Sequence, residues 1–112
     1  MNERREGIRV ALDVTVSEKL VSGTLNARVV SLSNTGMRYT KPSNIRRHGA
    51  KEVFLEFTLP GESESIKVLG WVVEEIEKEN ILETAVTFMF LPENDEGKIN
   101  TYVNKHLPAC PA

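Results

Sequence analysis

Cys110 is the only cysteine in the 112-residue chain, which excludes an internal disulfide framework and any multi-cysteine metal site. It lies between prolines in the last three residues, where chain ends fray and a nucleophile rarely finds a fixed base. Histidine is almost as scarce. His48 and His106 are the two, no HxH, HExxH or CxxC spacing exists, and each reads as a surface residue rather than a metal ligand. No Gly-rich phosphate loop follows a strand and opens a helix, which argues against an NTPase. No stretch approaches the roughly 18 apolar residues that a membrane span needs. The N-terminal Met-Asn-Glu-Arg-Arg-Glu leads into no apolar signal region. Together these absences predict a cytoplasmic domain with no catalytic residues, no metal and no cofactor, and no membrane insertion.

What is present suits one folded domain: 40% hydrophobic and 27% charged residues in a chain near the commonest domain size. The net charge of -2 divides unevenly. Residues 1–51 hold ten Lys or Arg against four Asp or Glu (+6), and residues 52–112 hold four against twelve (-8). All seven arginines fall between Arg4 and Arg47. Arginine offers a rigid donor fork suited to phosphate and guanine, whereas lysine is closer to a point charge. Charge asymmetry is a weak signal that folding can erase, but it places any anion site in the first half.

Val10, Leu12, Val14 and Val16 alternate with Ala11, Asp13, Thr15 and Ser17, the period-two pattern of a half-buried strand. Lys19 to Gly23 reads as a turn. Thr24 to Leu32 resumes with Leu25, Ala27, Val29 and Ser31 on one face. Ser33-Asn34-Thr35-Gly36 breaks it, Met37 to Thr40 forms a short strand, and Lys41 to Lys51 reads as a polar loop. Val53, Leu55, Phe57 and Leu59 alternate strictly. Ile66 to Ile76 is a β-branched and aromatic run whose Gly70 marks a bulge or a close approach. Glu74, Glu75, Glu77 and Glu79 read as a solvated turn, and Ile81 to Leu91 as the last long strand. After Pro92 the spacing of Ile99, Tyr102, Val103 and Leu107 becomes helical, with acids early and Lys105 and His106 late. The expected architecture is mainly β: a six-stranded antiparallel β-barrel with a C-terminal α-helix. Residues 1–9 form a flexible arginine-rich arm, 10–107 the barrel plus helix, and 108–112 a tail.

Two short motifs stand out. Arg4-Arg5-Glu6-Gly7-Ile8-Arg9 puts three guanidiniums just before the first strand, and Ser31-Leu32-Ser33-Asn34-Thr35-Gly36 closes another strand with Arg38 beyond it. They look like two halves of an anion site. A mobile arginine arm can fold over a phosphate or stack on a base, and charge-assisted bonds there contribute on the order of 1.5–3 kcal/mol each. Hydroxyls and turn amides supply short polar contacts, and a glycine lets a ligand approach. Each motif alone is common, one as a solvated terminus and the other as an ordinary turn.

In this order and ahead of a barrel, the motifs resemble the PilZ domain family, bacterial receptors for cyclic diguanylate (cyclic di-GMP). Arg5 and Arg9 match the family's Arg-x-x-x-Arg segment, with Arg4 the extra arginine often found before it. Ser33 and Gly36 match its Asp/Asn-x-Ser-x-x-Gly turn. Gly70 with Val72 and Val73 is similar to its Gly-x-Val-Val strand, and Ala85-Val86-Thr87-Phe88 to its last core strand. The resemblance spans roughly Arg4 to Leu107. Two departures stand in it: Ser31 replaces the acid or amide that reads a guanine edge, and Ala85 replaces a common glycine.

The resemblance implies a non-enzymatic cyclic di-GMP receptor. Arg5 and Arg9 grip phosphates and stack on guanine, Ser31, Ser33 and Gly36 line the opposite wall, and Arg4 and Arg38 add charge. As a stand-alone domain it relays its signal to a separate protein effector, in a process such as motility or biofilm regulation. The alternative is a degenerate adaptor that binds protein without nucleotide. A small RNA-binding barrel, suggested by the arginine-rich half, is disfavoured by the pI of about 5.7 and by Tyr39 being the only aromatic in that half.

Overall fold

The computed structural model describes residues 10–20, 23–42 and 52–106. Among these described residues, seven strands and one helix run in the order β1 (Val10–Ala11), β2 (Thr15–Leu20), β3 (Gly23–Leu32), β4 (Gly36–Pro42), β5 (Glu52–Phe57), β6 (Ile66–Lys78), β7 (Ile81–Phe90) and α1 (Glu93–Lys105). All pairings are antiparallel, and β3–β4 closes the run β3-β2-β5-β6-β7-β4 into a six-stranded barrel. Strand β1 is the extra one. It pairs with β3 at Leu32 and Ser31, along the edge of β3 that β2 uses further on.

The expected first strand is therefore broken. Ala11 faces Ser31 and Thr15 faces Arg28, so one more residue is spent on this side than on β3, and Leu12 to Val14 take up the slack. The side-chain alternation survives the break. Val10, Leu12 and Val16 are all buried, and Val14 packs against them partly covered. The expected turn at Lys19–Gly23 is narrower, because Leu20 pairs with Gly23. Strand β4 is longer than expected and runs on through Lys41 and Pro42, which pair with Leu82 and Ile81.

Val53, Leu55, Phe57 and Leu59 all point inward, as their alternation requires. On β6, Ile66, Val68, Gly70 and Val72 face the core. Gly70 sits at a bulge against β7, and a Cβ there would lie 3.3 Å from the Val86 side chain, so the glycine serves both a bulge and a tight contact. Strand β6 extends through Lys78. Only Glu79 and Asn80, with φ of 49° and 70°, make the two-residue hairpin turn to β7. The helix sends Ile99 and Val103 into the barrel's core cluster, with Tyr102 partly buried beside them. Its acids Glu93, Asp95 and Glu96 sit in the first turn and Lys105 in the last, each favoured by the helix dipole. Leu107, the last residue of the helical pattern, lies outside the described residues.

A charged cluster interrupts the core. Glu18 on β2 accepts from Tyr39 Oη at 2.7 Å and from Lys41 Nζ at 2.8 Å, and the Glu18 and Lys41 side chains are fully enclosed. Lys41 belongs to the segment expected as a polar loop. The ladder with β7 carries it inward instead, where Glu18 supplies the charge it needs.

Candidate functional site

The second motif forms the connection between β3 and β4. Ser33 is buried, and its hydroxyl accepts from the backbone N–H groups of Thr35 and Gly36, both at 3.2 Å. The Ser33 N–H donates to the Gly36 carbonyl at 2.9 Å, and the Phe88 N–H donates to the Thr35 carbonyl at 2.9 Å. The turn is held from inside by its own serine and from outside by β7, leaving Asn34 and Thr35 exposed at the tip. Gly36 is required here. A Cβ would meet the Val86 carbonyl oxygen at 2.2 Å, so β4 and β7 approach too closely for any side chain.

Ser31 does not face inward with Ala27 and Val29. A bulge between Val29 and Ser31 leaves Val30 as the extra residue, which reverses the phase. Leu32 takes the fully buried position, while Ser31 turns outward and is half-buried. One ladder row then runs across the outside of the barrel: Ala11, Ser31, Arg38, Ala85, Glu74. A neighbouring row runs Gly36, Thr87, Trp71, Glu52.

Arg38 crosses this surface. Its Nη2 donates to Glu74 Oε1 at 3.0 Å and its Nη1 to Glu83 Oε2 at 3.1 Å. The bond to Glu74 is the first cause of a guanidinium pKa raised above its ordinary value, opposed by desolvation and helped by Glu83. Glu74 and Arg38 flank Ala85 in the row, so their ion pair passes over the small, buried Ala85 side chain. Glu74 is thus a strand residue engaged across the sheet, not part of a solvated turn.

Ser31, Ser33, Gly36 and Arg38 are brought together around the β3–β4 connection, Ser31 and Arg38 facing outward and Ser33 buried within the turn. Arg4, Arg5 and Arg9 lie outside the described residues. The chain leaves that segment at Val10, which pairs with Leu32 between Ser31 and Ser33. Sequence reasoning missed Trp71, the chain's single tryptophan, 43% exposed and two strands from Gly36. Its signal was its place in the alternation of β6, opposite to the buried Gly70 and Val72. Among the described residues no group of three or more His, Cys, Asp or Glu could hold a metal, and no helix is long and apolar enough to cross a membrane.

The fold is thus a small helix-bearing six-stranded β-barrel domain that carries its polar motif on the outer wall, at a strand end. A family profile, the PilZ domain, matches residues 3–105. Among solved structures, the chain is similar to the PilZ domain of Escherichia coli YcgR with c-di-GMP, at 16% identity and a TM-score of 0.71, over 93% of this chain and 92% of that one. It is similar also to the Bacillus subtilis inhibitor of motility MotI (DgrA), at 12% identity and a TM-score of 0.78, over 88% of this chain and 48% of that one. The Borreliella burgdorferi PlzA protein in complex with c-di-GMP aligns at 9% identity and a TM-score of 0.57, over 91% of this chain and 52% of that one. This chain therefore spans about half the length of the latter two proteins. No curated protein matches the sequence. The chain belongs to the PilZ domain family.

Proposed function

We propose that the chain is a cytoplasmic, non-enzymatic receptor for cyclic di-GMP that passes its state to a partner protein. The observation that supports this best is the preformed Ser33–Gly36 turn, whose Ser33 hydroxyl and Ser33, Thr35 and Gly36 N–H groups are already hydrogen-bonded before any ligand arrives. A site of that kind loses little ordering entropy on binding. In this reading Ser31 and the turn at Ser33 and Gly36 make one wall, with Arg38 beside it. Arg5 and Arg9, helped by Arg4, close over the ligand from residues 1–9 and grip phosphate and guanine. Trp71, exposed in the same ladder row as Gly36, extends the wall with an aromatic face. Closing of the arm changes the surface that the effector reads.

Titration calorimetry with cyclic di-GMP tests it. Binding heat is expected for the unmodified chain, with loss of at least about tenfold in affinity for Arg5→Ala plus Arg9→Ala, since two charge-assisted contacts go. No heat, or equal binding by the double variant, overturns the reading. The substitution of Ser31 for an acid or amide favours one rival, an adaptor that works without nucleotide. That rival requires a partner whose binding ignores both the nucleotide and the two arginines.

A further inference from the structure

The outer face beside the Ser33–Gly36 turn carries a charge arrangement that works against an anion. Arg38, the cross-strand neighbour of Ser31, is held by two carboxylates, Glu74 at 3.0 Å and Glu83 at 3.1 Å. One positive and two negative groups leave this cluster with net negative charge. The guanidinium binds a phosphate with parallel donors along one edge, and each polar edge includes at least one of its two Nη atoms. Here Nη2 is committed to Glu74 and Nη1 to Glu83, so both edges are partly occupied. Arg38 is also only about a quarter exposed (27%), while Glu74 and Glu83 are more open at 46% and 37%. Water and ions therefore reach the carboxylates more readily than the cation they hold.

We propose that Glu74 and Glu83 are affinity-setting residues of this site: intramolecular competitors that hold the Arg38 fork and must yield before a ligand phosphate can use it. The inference rests on the receptor reading and adds the control of its affinity. A tethered carboxylate competes at a high effective concentration, so an incoming phosphodiester displaces it at a loss. That loss weakens binding and requires the ligand to be plentiful before the site fills. Glu74 and Glu83 act through Arg38 and are positioning residues in this scheme.

A mutant cycle read by calorimetry with cyclic di-GMP separates coupling through Arg38 from bulk charge. The proteins are the unmodified full chain, Glu74→Gln plus Glu83→Gln, Arg38→Met, and the triple variant. The glutamine pair is expected to bind about tenfold tighter than the unmodified chain, and the triple variant within about twofold of Arg38→Met alone. A similar gain in both backgrounds means that removing negative charge suffices, and overturns the proposal. So does no gain, or a loss, in the chain that keeps Arg38. Heat from none of the four overturns the receptor reading and the proposal together, whereas binding with the wrong cycle overturns the proposal alone. Circular dichroism melts accompany each protein. Should the glutamine pair fail to fold, Glu74→Gln and Glu83→Gln singly, each leaving one bridge in place, must give the same sign in smaller steps.

Discussion

At the scale of single residues, Gly36 is the most constrained position of the site. The atom its Cβ would strike is a backbone carbonyl, Val86 O at 2.2 Å, and a carbonyl in a ladder cannot rotate aside as a side chain can. Gly36→Ala must push β4 from β7 at the point where the turn is anchored. We expect a loss of about 2–3 kcal/mol in urea unfolding and a weakened site, the upper range for overpacking. Gly70→Ala is the milder control, since its contacts are side-chain atoms at 3.3 Å that can give. Ser33 and Gly36 were legible as a motif because both act within four residues. Glu74 and Glu83 were not, because their contacts with Arg38 cross 36 and 45 positions of sequence.

At the scale of elements, β4 connects the site to the core. Arg38 and Thr40 face outward, while Tyr39 and Lys41 reach inward to Glu18 of β2. A fully enclosed ion pair contributes little net stability, but removing one partner leaves the other's buried charge less well compensated. Lys41→Met is expected to cost about 3–5 kcal/mol in denaturant unfolding. Adding Glu18→Gln should recover part of that loss, since the amide removes the less compensated buried charge and still accepts from Tyr39. If Lys41→Met unfolds no more easily than the unmodified chain, the pair is not what specifies this end of β4. Strand identities here were legible wherever burial alternates on one face, as in β5. The polar composition around Lys41 misled, because one buried lysine in a short strand looks the same as one in a loop.

At the scale of the whole molecule, folding redistributes the charge asymmetry. Arg38 of the basic half meets Glu74 and Glu83 of the acidic half, Lys19 meets Glu56, and Arg28 stays local with Asp13. Arg4, Arg5, Arg9, Arg46 and Arg47, the other arginines of the basic half, lie outside the described residues. A ligand that binds only the folded barrel must raise its stability by mass action. At a hundred times its dissociation constant, cyclic di-GMP should add about 2.7 kcal/mol and raise the melting temperature by about 10 °C, read by scanning calorimetry. GMP at the same concentration should move it little. Equal shifts from both nucleotides would mean that the site reads phosphate charge and not the cyclic dinucleotide.

Some of this protein was determined by sequence alone. Period-two burial, the change to helical spacing after Pro92, and the pair of short polar motifs are local patterns, and local patterns survive any arrangement of distant segments. The tertiary structure decided which way those patterns point. A bulge at Val30 turned Ser31 outward and Leu32 inward, register with β7 buried Lys41, and the closure of the barrel set Arg38 between two carboxylates. Each is a matter of register between strands, and a shift of one residue reverses the face of every side chain beyond it.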